Sequence, residues 1–124
     1  MKNKIIVTGG CGYIGSHTVI ELIENNYTVI ILDDLSNSTE ETLHRIEKIT
    51  NVKPSFINID LKDELKTKKV FKEHKDAKAV INFAAHKAVG ESVQKPLMYY
   101  KNNLHSLINT LTALTENTIN GFIF

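Results

Sequence analysis

Cysteine and arginine are almost missing from this sequence: Cys11 and Arg45 are the only ones in 124 residues. A single thiol excludes an internal disulfide, and Cys11 is read as a small packing residue, not a redox group. Lysine and arginine total 15 against 14 for aspartate and glutamate. That balance gives no electrostatic reason to expect nucleic acid or an anionic membrane as a partner, and one arginine leaves little to read base edges. No apolar stretch approaches the ~20 residues of a membrane span. His17, His44, His74, His86 and His105 show no i, i+4 pairing and no C-x-x-C partner, so no metal site is expected. The N-terminus leads directly into an apolar segment without a signal-peptide pattern, and a reduced, cytoplasmic compartment is expected. Repeats, linkers and low-complexity segments are lacking. Asn37-Ser38-Thr39 matches a glycosylation acceptor but is read as helix-start chemistry.

What is present is a regular alternation of strand and helix signals. The length suffices for one domain with a real core, and 42% hydrophobic with 23% charged residues is a globular composition. Ile5–Thr8 is a continuous apolar run of the kind that forms a buried strand, and Tyr27–Asp33, Pro54–Ile59 (shorter) and Ala79–Ala85 read as the second, third and fourth strands. Gly121–Phe124 begins a fifth. A helix from about Tyr13 to Asn25 places Gly15, Val19, Leu22 and Ile23 on one face. Ser38 and Glu41 have the spacing of a capping box, with Leu43, Ile46 and Ile49 as the inward face of the helix that follows. The lysine-rich helix from about Lys62 to Lys75 is read as solvated. From Pro96 onward, Tyr100, Leu104, Leu107, Ile108, Leu111 and Leu114 predict an apolar stripe on a long helix. Such alternation predicts an α/β fold, a Rossmann-type doubly wound parallel sheet with strand order 3-2-1-4-5 and right-handed crossovers. The chain is expected to be one domain, residues 1–124, that stops inside its fifth strand as the N-terminal piece of a longer enzyme.

The first strand runs into Thr8-Gly9-Gly10-Cys11-Gly12-Tyr13-Ile14-Gly15. A glycine-rich turn between a strand and a helix binds a dinucleotide pyrophosphate: backbone N–H groups approach the phosphates closely, and the helix N-terminus attracts the anion. The glycines fit two patterns. Gly10, Gly12 and Gly15 form G-x-G-x-x-G, whereas Gly9, Gly12 and Gly15 follow Thr8 as T-G-x-x-G-x-x-G. Asp33 ends the second strand, 18 residues after Gly15, where a carboxylate accepts hydrogen bonds from the adenosine ribose hydroxyls. It would repel a 2′-phosphate, so NAD is preferred over NADP. Asp34, next to it, either shares that role or is a turn residue, the latter being preferred, and Leu35-Ser36-Asn37-Ser38 offers hydrogen-bonding groups near the ribose. Asp60, after the third strand, is either a helix cap or a partner of the adenine amino group.

The run from Asn82 to Leu97 (NFAAHKAVGESVQKPL) resembles the corresponding stretch of the UDP-glucose 4-epimerases, within the extended short-chain dehydrogenase/reductase family. So do Gly9–His17, Ile31–Ser38, Tyr99–Asn103 and Gly121–Phe124, in the same order along essentially the whole chain. The resemblance implies a reversible oxidation at sugar C4. A hydride leaves C4 for NAD, a 4-keto sugar turns over in the site, and the hydride returns to its other face, interconverting UDP-galactose and UDP-glucose.

It also implies residue roles. Tyr13 and Ile14 would offer N–H groups to the pyrophosphate; Asp33 would hold the adenosine ribose beside Asn37 and Ser38; Asp60 and Leu61 would flank the adenine. Phe83, Ala84 and Ala85 would line the dinucleotide's path. Lys87 would bind the nicotinamide-side ribose, and Asn102 would complete the cofactor shell. Lys87, Val89 and Glu91 would lie nearest the hexose; Tyr99 and Tyr100 are read from the helix stripe itself as packing residues. The family's catalytic serine or threonine and its Tyr-x-x-x-Lys pair have no counterpart here and are expected beyond Phe124, with the uracil pocket. Relatives commonly dimerise through helices on one sheet face, so a homodimer is expected, with Pro96–Thr115 a candidate surface. A related nucleotide-sugar dehydratase or decarboxylase, and a non-catalytic dinucleotide-binding module, remain as alternatives.

Overall fold

The structure, a computed structural model, describes residues 3–36, 38–84 and 96–123, with backbone alone for residues 96, 98–100 and 102. Among the described residues nine elements alternate. They are β1 (Lys4–Thr8), α1 (Tyr13–Glu24), β2 (Thr28–Asp33), α2 (Glu41–Thr50), β3 (Ser55–Asn58), α3 (Glu64–Glu73), β4 (Ala79–Asn82), α4 (Pro96–Glu116) and β5 (Gly121–Ile123). The strands form one sheet in the order β3-β2-β1-β4-β5, every pair parallel. This is the doubly wound Rossmann-type order expected from the alternation.

The period-2 geometry of strands explains the two cores. Ile6, Ile30, Leu32 and Val80 face one side and pack with Val70, Phe71, Ala113 and Leu114 of α3 and α4. Ile5, Val7, Val29 and Ile31 face the other side and pack with Val19 of α1 and Ile46 of α2. Central strands buried on both faces must read as continuous apolar runs, which is why they were visible in the sequence. The lysine-rich α3 buries Thr67, Val70 and Phe71 and leaves Lys66, Lys69 and Lys72 in solvent.

Three local expectations are corrected. No Ser38–Glu41 capping box forms: Glu40, already helical, is the N-cap and no side chain caps it. The backbone closes the first turn instead, Thr42 N–H to Thr39 O at 3.2 Å and Leu43 N–H to Glu40 O at 3.0 Å. Ile49 is not inward; it is 57% exposed, while Ile46 is buried. On α4, Leu104, Ile108 and Leu111 face solvent, and the buried face is Asn109, Thr110, Ala113 and Leu114. A period of 3.6 shows that a stripe exists, but packing against α3 decides which stripe turns inward. Two predicted strands also stop early, at Asn82 instead of Ala85 and at Asn58 instead of Ile59, because the chain there leaves the ladder to enter the loops of the site.

Candidate functional site

The carboxyl ends of β1, β2, β3 and β4 open into one cavity of about 430 Å³. In an open parallel sheet, ligands bind outside these ends, where the strand order reverses. Here that point lies between β1 and β4.

Gly9 has a left-handed backbone, φ +69°, and an added Cβ would stand 2.7 Å from Phe83 C and 2.8 Å from Ala84 N. A Cβ on Gly15 would land on the Gly9 carbonyl oxygen. A Cβ on Gly10 would instead stand 2.8 Å from Cγ2 of the Ile31 side chain, and Gly10 does not line the cavity, whereas Gly9, Gly12 and Gly15 do. Of the two glycine patterns, the one starting at Thr8-Gly9 is therefore the one built into the turn. The turn is closed by Gly12 N–H to Gly9 O at 3.1 Å and tied to β2 by Gly9 N–H to Leu32 O at 2.7 Å. The N-cap of α1, Gly12, has no side chain to cap the helix, and the first turn has no acidic residue. The bond from Ser16 N–H to Gly12 O at 2.8 Å opens the α-helical ladder, leaving the N–H groups of Tyr13, Ile14 and Gly15 among the helix-start donors that an anion satisfies.

Asp33 ends β2 beside this turn. Its Oδ2 accepts from Cys11 N–H at 3.0 Å and its Oδ1 from Leu35 N–H at 2.8 Å. Each carboxylate oxygen keeps acceptor capacity for a further donor. Burial, with the charges of Asp33 and Glu40 adding to it, pushes the Cys11 thiol up to about 12. It is therefore a protonated packing group, not a nucleophile.

Thr8, fully buried, joins β1 to β4. Its hydroxyl donates to Asn82 Oδ1 and accepts from Ala84 N–H at 3.3 Å, while its carbonyl accepts from Phe83 N–H at 2.9 Å. These bonds bring Phe83 and Ala84 to the cavity wall. The far end is the loop after β3. Asp60 does not cap α3; Asp63 does, accepting from Lys66 N–H at 3.1 Å. Asp60 Oδ1 accepts from Lys62 N–H at 2.9 Å, and its Oδ2 lies 3.6 Å from Lys62 Nζ.

Of the candidate residues, Gly9, Gly12, Tyr13, Ile14, Gly15 and Asp33 line this one cavity, as do Ser38, Asp60, Leu61, Phe83 and Ala84. Asn37, Ala85, Lys87, Val89 and Glu91 lie outside the described residues, as does the side chain of Asn102. Asp34, read as a turn residue, also lines the cavity, as do Ile59, Asn103 and Ser106. The sequence reading missed Asn109, whose side chain reaches back to the loop after β3. The only signal for it was a polar residue in the middle of a helix. Among the described residues no group of three or more His, Cys, Asp or Glu could hold a metal ion, and no helix is long and apolar enough to cross a membrane.

The chain is 50% identical over 123 residues to the UDP-glucose 4-epimerase uge1 of Schizosaccharomyces pombe, covering 99% of this chain and 34% of that protein. It is 44% identical over 124 residues to the UDP-glucose 4-epimerase of Dictyostelium discoideum, covering 100% and 36%. The UDP-glucose 4-epimerase of Bifidobacterium longum, solved in complex with NAD+ and UDP, superposes with a TM-score of 0.93 at 41% identity, over 98% of this chain and 36% of that one. The chain thus spans about a third of the length of the curated relatives it matches. A family model described as GDP-mannose 4,6 dehydratase matches residues 6–124. Given that match over nearly the whole sequence, the chain belongs to the GDP-mannose 4,6 dehydratase family.

Proposed function

We propose that this chain is the NAD-binding domain, residues 1–124, of a UDP-hexose 4-epimerase that interconverts UDP-galactose and UDP-glucose. The observation that carries the reading is the cavity itself, where an uncapped helix start, the Asp33 carboxylate and the loop after β3 stand side by side. That order suits a dinucleotide: pyrophosphate after β1, adenosine ribose after β2, adenine after β3. The N–H groups of Tyr13, Ile14 and Gly15 bind the pyrophosphate, Asp33 takes the ribose hydroxyls with Asn37 and Ser38 nearby, and Asp60 and Leu61 flank the base. Asp33 sets NAD above NADP through charge repulsion of a 2′-phosphate. Phe83, Ala84 and Ala85 line the path toward the nicotinamide. Lys87 binds the second ribose, Asn102 completes the shell, and Lys87, Val89 and Glu91 border the hexose.

NAD, when bound, supplies the hydride acceptor and donor at sugar C4, which passes through a 4-keto sugar. This chain holds no Tyr-x-x-x-Lys pair, so the proton-abstracting base and the uracil pocket are contributed by sequence beyond residue 124. We place the enzyme in the cytoplasm as a homodimer, with Leu104, Ile108 and Leu111, the exposed face of α4, as the contact.

Incubating the full-length protein with UDP-galactose tests the reading; UDP-glucose as the product supports it. A 4-keto-6-deoxy sugar nucleotide would identify a dehydratase, the reading the family model's description favours. NAD binding with no turnover would leave a dinucleotide-binding module. No NAD binding overturns all three.

A further inference from the structure

Asn109 lies in the middle of α4, 6% exposed, where an amide side chain without partners would be costly. Both hydrogens of its Nδ2 are used: it donates to Leu61 O at 2.9 Å and to Lys62 O at 3.1 Å. These carbonyls belong to the loop after β3 that forms the far end of the cavity. Among the described residues Leu61 O has one other donor in reach, the Thr67 hydroxyl at 3.3 Å, but that hydroxyl lies closer to Asp63 O, at 2.7 Å. A hydroxyl has one hydrogen, and the shorter bond claims it. Asn109 is thus the principal donor to Leu61 O. The loop is braced from inside by Asp63 N–H to Asp60 O at 2.9 Å and Lys62 N–H to Asp60 Oδ1 at 2.9 Å. Asn109 is the brace from outside, across 48 residues of sequence. One turn earlier on the helix, Ser106 lines the cavity that Asp60 and Leu61 also line.

We infer that Asn109 is a positioning residue for the base end of the bound dinucleotide: by holding the carbonyls of Leu61 and Lys62, it sets the loop against which adenine is recognised. The inference rests on the NAD reading above. It assigns Asn109 no contact with the cofactor. With the clamp removed, the loop keeps its internal turn but loses its fixed distance from α4. The base subsite then loosens, while the glycine turn and Asp33, anchored to β1 and β2, stay in place.

The test compares NAD with nicotinamide guanine dinucleotide, which differs only in the base. The wild-type protein, Asn109→Leu (similar size, no donors) and Asn109→Asp (similar shape, acceptors facing two carbonyls) are titrated with each. The expected result is a NAD Kd raised on the order of tenfold, a smaller change for the guanine analogue, and hence a lower adenine preference. Equal losses for both dinucleotides, or none, would overturn the inference. No NAD binding by the wild type would overturn the NAD reading itself, which is a separate outcome. Should both variants be too unstable to titrate, the wild type decides: the Asn109 side-chain amide resonances should shift with AMP and not with nicotinamide mononucleotide. Their indifference to AMP would overturn the inference as well.

Discussion

Replacing Gly9 by alanine tests the reading of the turn most directly. The new Cβ would sit 2.7, 2.8 and 2.9 Å from Phe83 C, Ala84 N and Phe83 O, all backbone atoms that cannot rotate away, at a φ of +69°. The left-handed conformation costs an L-residue about 1–2 kcal/mol, and forced overlap typically costs about 1–3 kcal/mol more. The sum, about 2–5 kcal/mol, is a large share of the ~5–15 kcal/mol that stabilises a domain. For a chain of this length it corresponds to about 8–20 °C in Tm. Gly12→Ala is the control, since its Cβ would meet only Gly9 O, at 3.3 Å. Urea unfolding followed by circular dichroism gives both values, and NAD titration of whatever folds gives the second readout. Gly9→Ala as stable as Gly12→Ala, with NAD binding intact, would show that the approach of the turn to Phe83 is not as described. If Gly10→Ala instead proved the more damaging, the G-x-G-x-x-G pattern would be restored.

Asp33→Ala should weaken NAD binding by about 1.5–3 kcal/mol, the scale of a charged hydrogen bond, and narrow the preference over NADP; tight NADP retention by the wild type would sink the assignment. The 124-residue chain with UDP-galactose and NAD should show no epimerisation, because no Tyr-x-x-x-Lys pair is present; turnover comparable to a complete enzyme would place the catalytic groups within it. Cys11 predicts alkaline behaviour. Its thiol moves from 9.0 to about 12 on folding, so its contribution is complete below pH 9 and is lost as pH rises toward 12. The loss grows with each pH unit between those two values. Cys11→Ala should flatten that part of the stability profile, and identical slopes for wild type and variant would refute it. Asp76, held below the usual carboxylate range by its hydrogen bond from Lys4, should lose its contribution as pH falls through the acid range; Asp76→Asn should show less acid sensitivity.

The order of the strands and the position of Asp33 were determined by the sequence alone. Parallel strands buried on both faces leave apolar runs that no polar alternation disguises, and right-handed crossovers of these lengths admit few arrangements. A carboxylate at the end of such a run must then face the crevice. The tertiary structure decided what depends on distance between segments far apart in the chain. Gly9 is held against backbone because β4 delivers Phe83 to it, 74 residues later, whereas Gly10 faces only the Ile31 side chain. α4 turns Leu104, Ile108 and Leu111 outward because Ala113 and Leu114 pack against Val70 and Phe71 of α3, and that packing carries Asn109 inward to two carbonyls of the loop after β3. Helical periodicity ranks faces by their apolar content. It cannot weigh an apolar face against a polar side chain whose partners lie about fifty residues away, and buried polar groups demand partners.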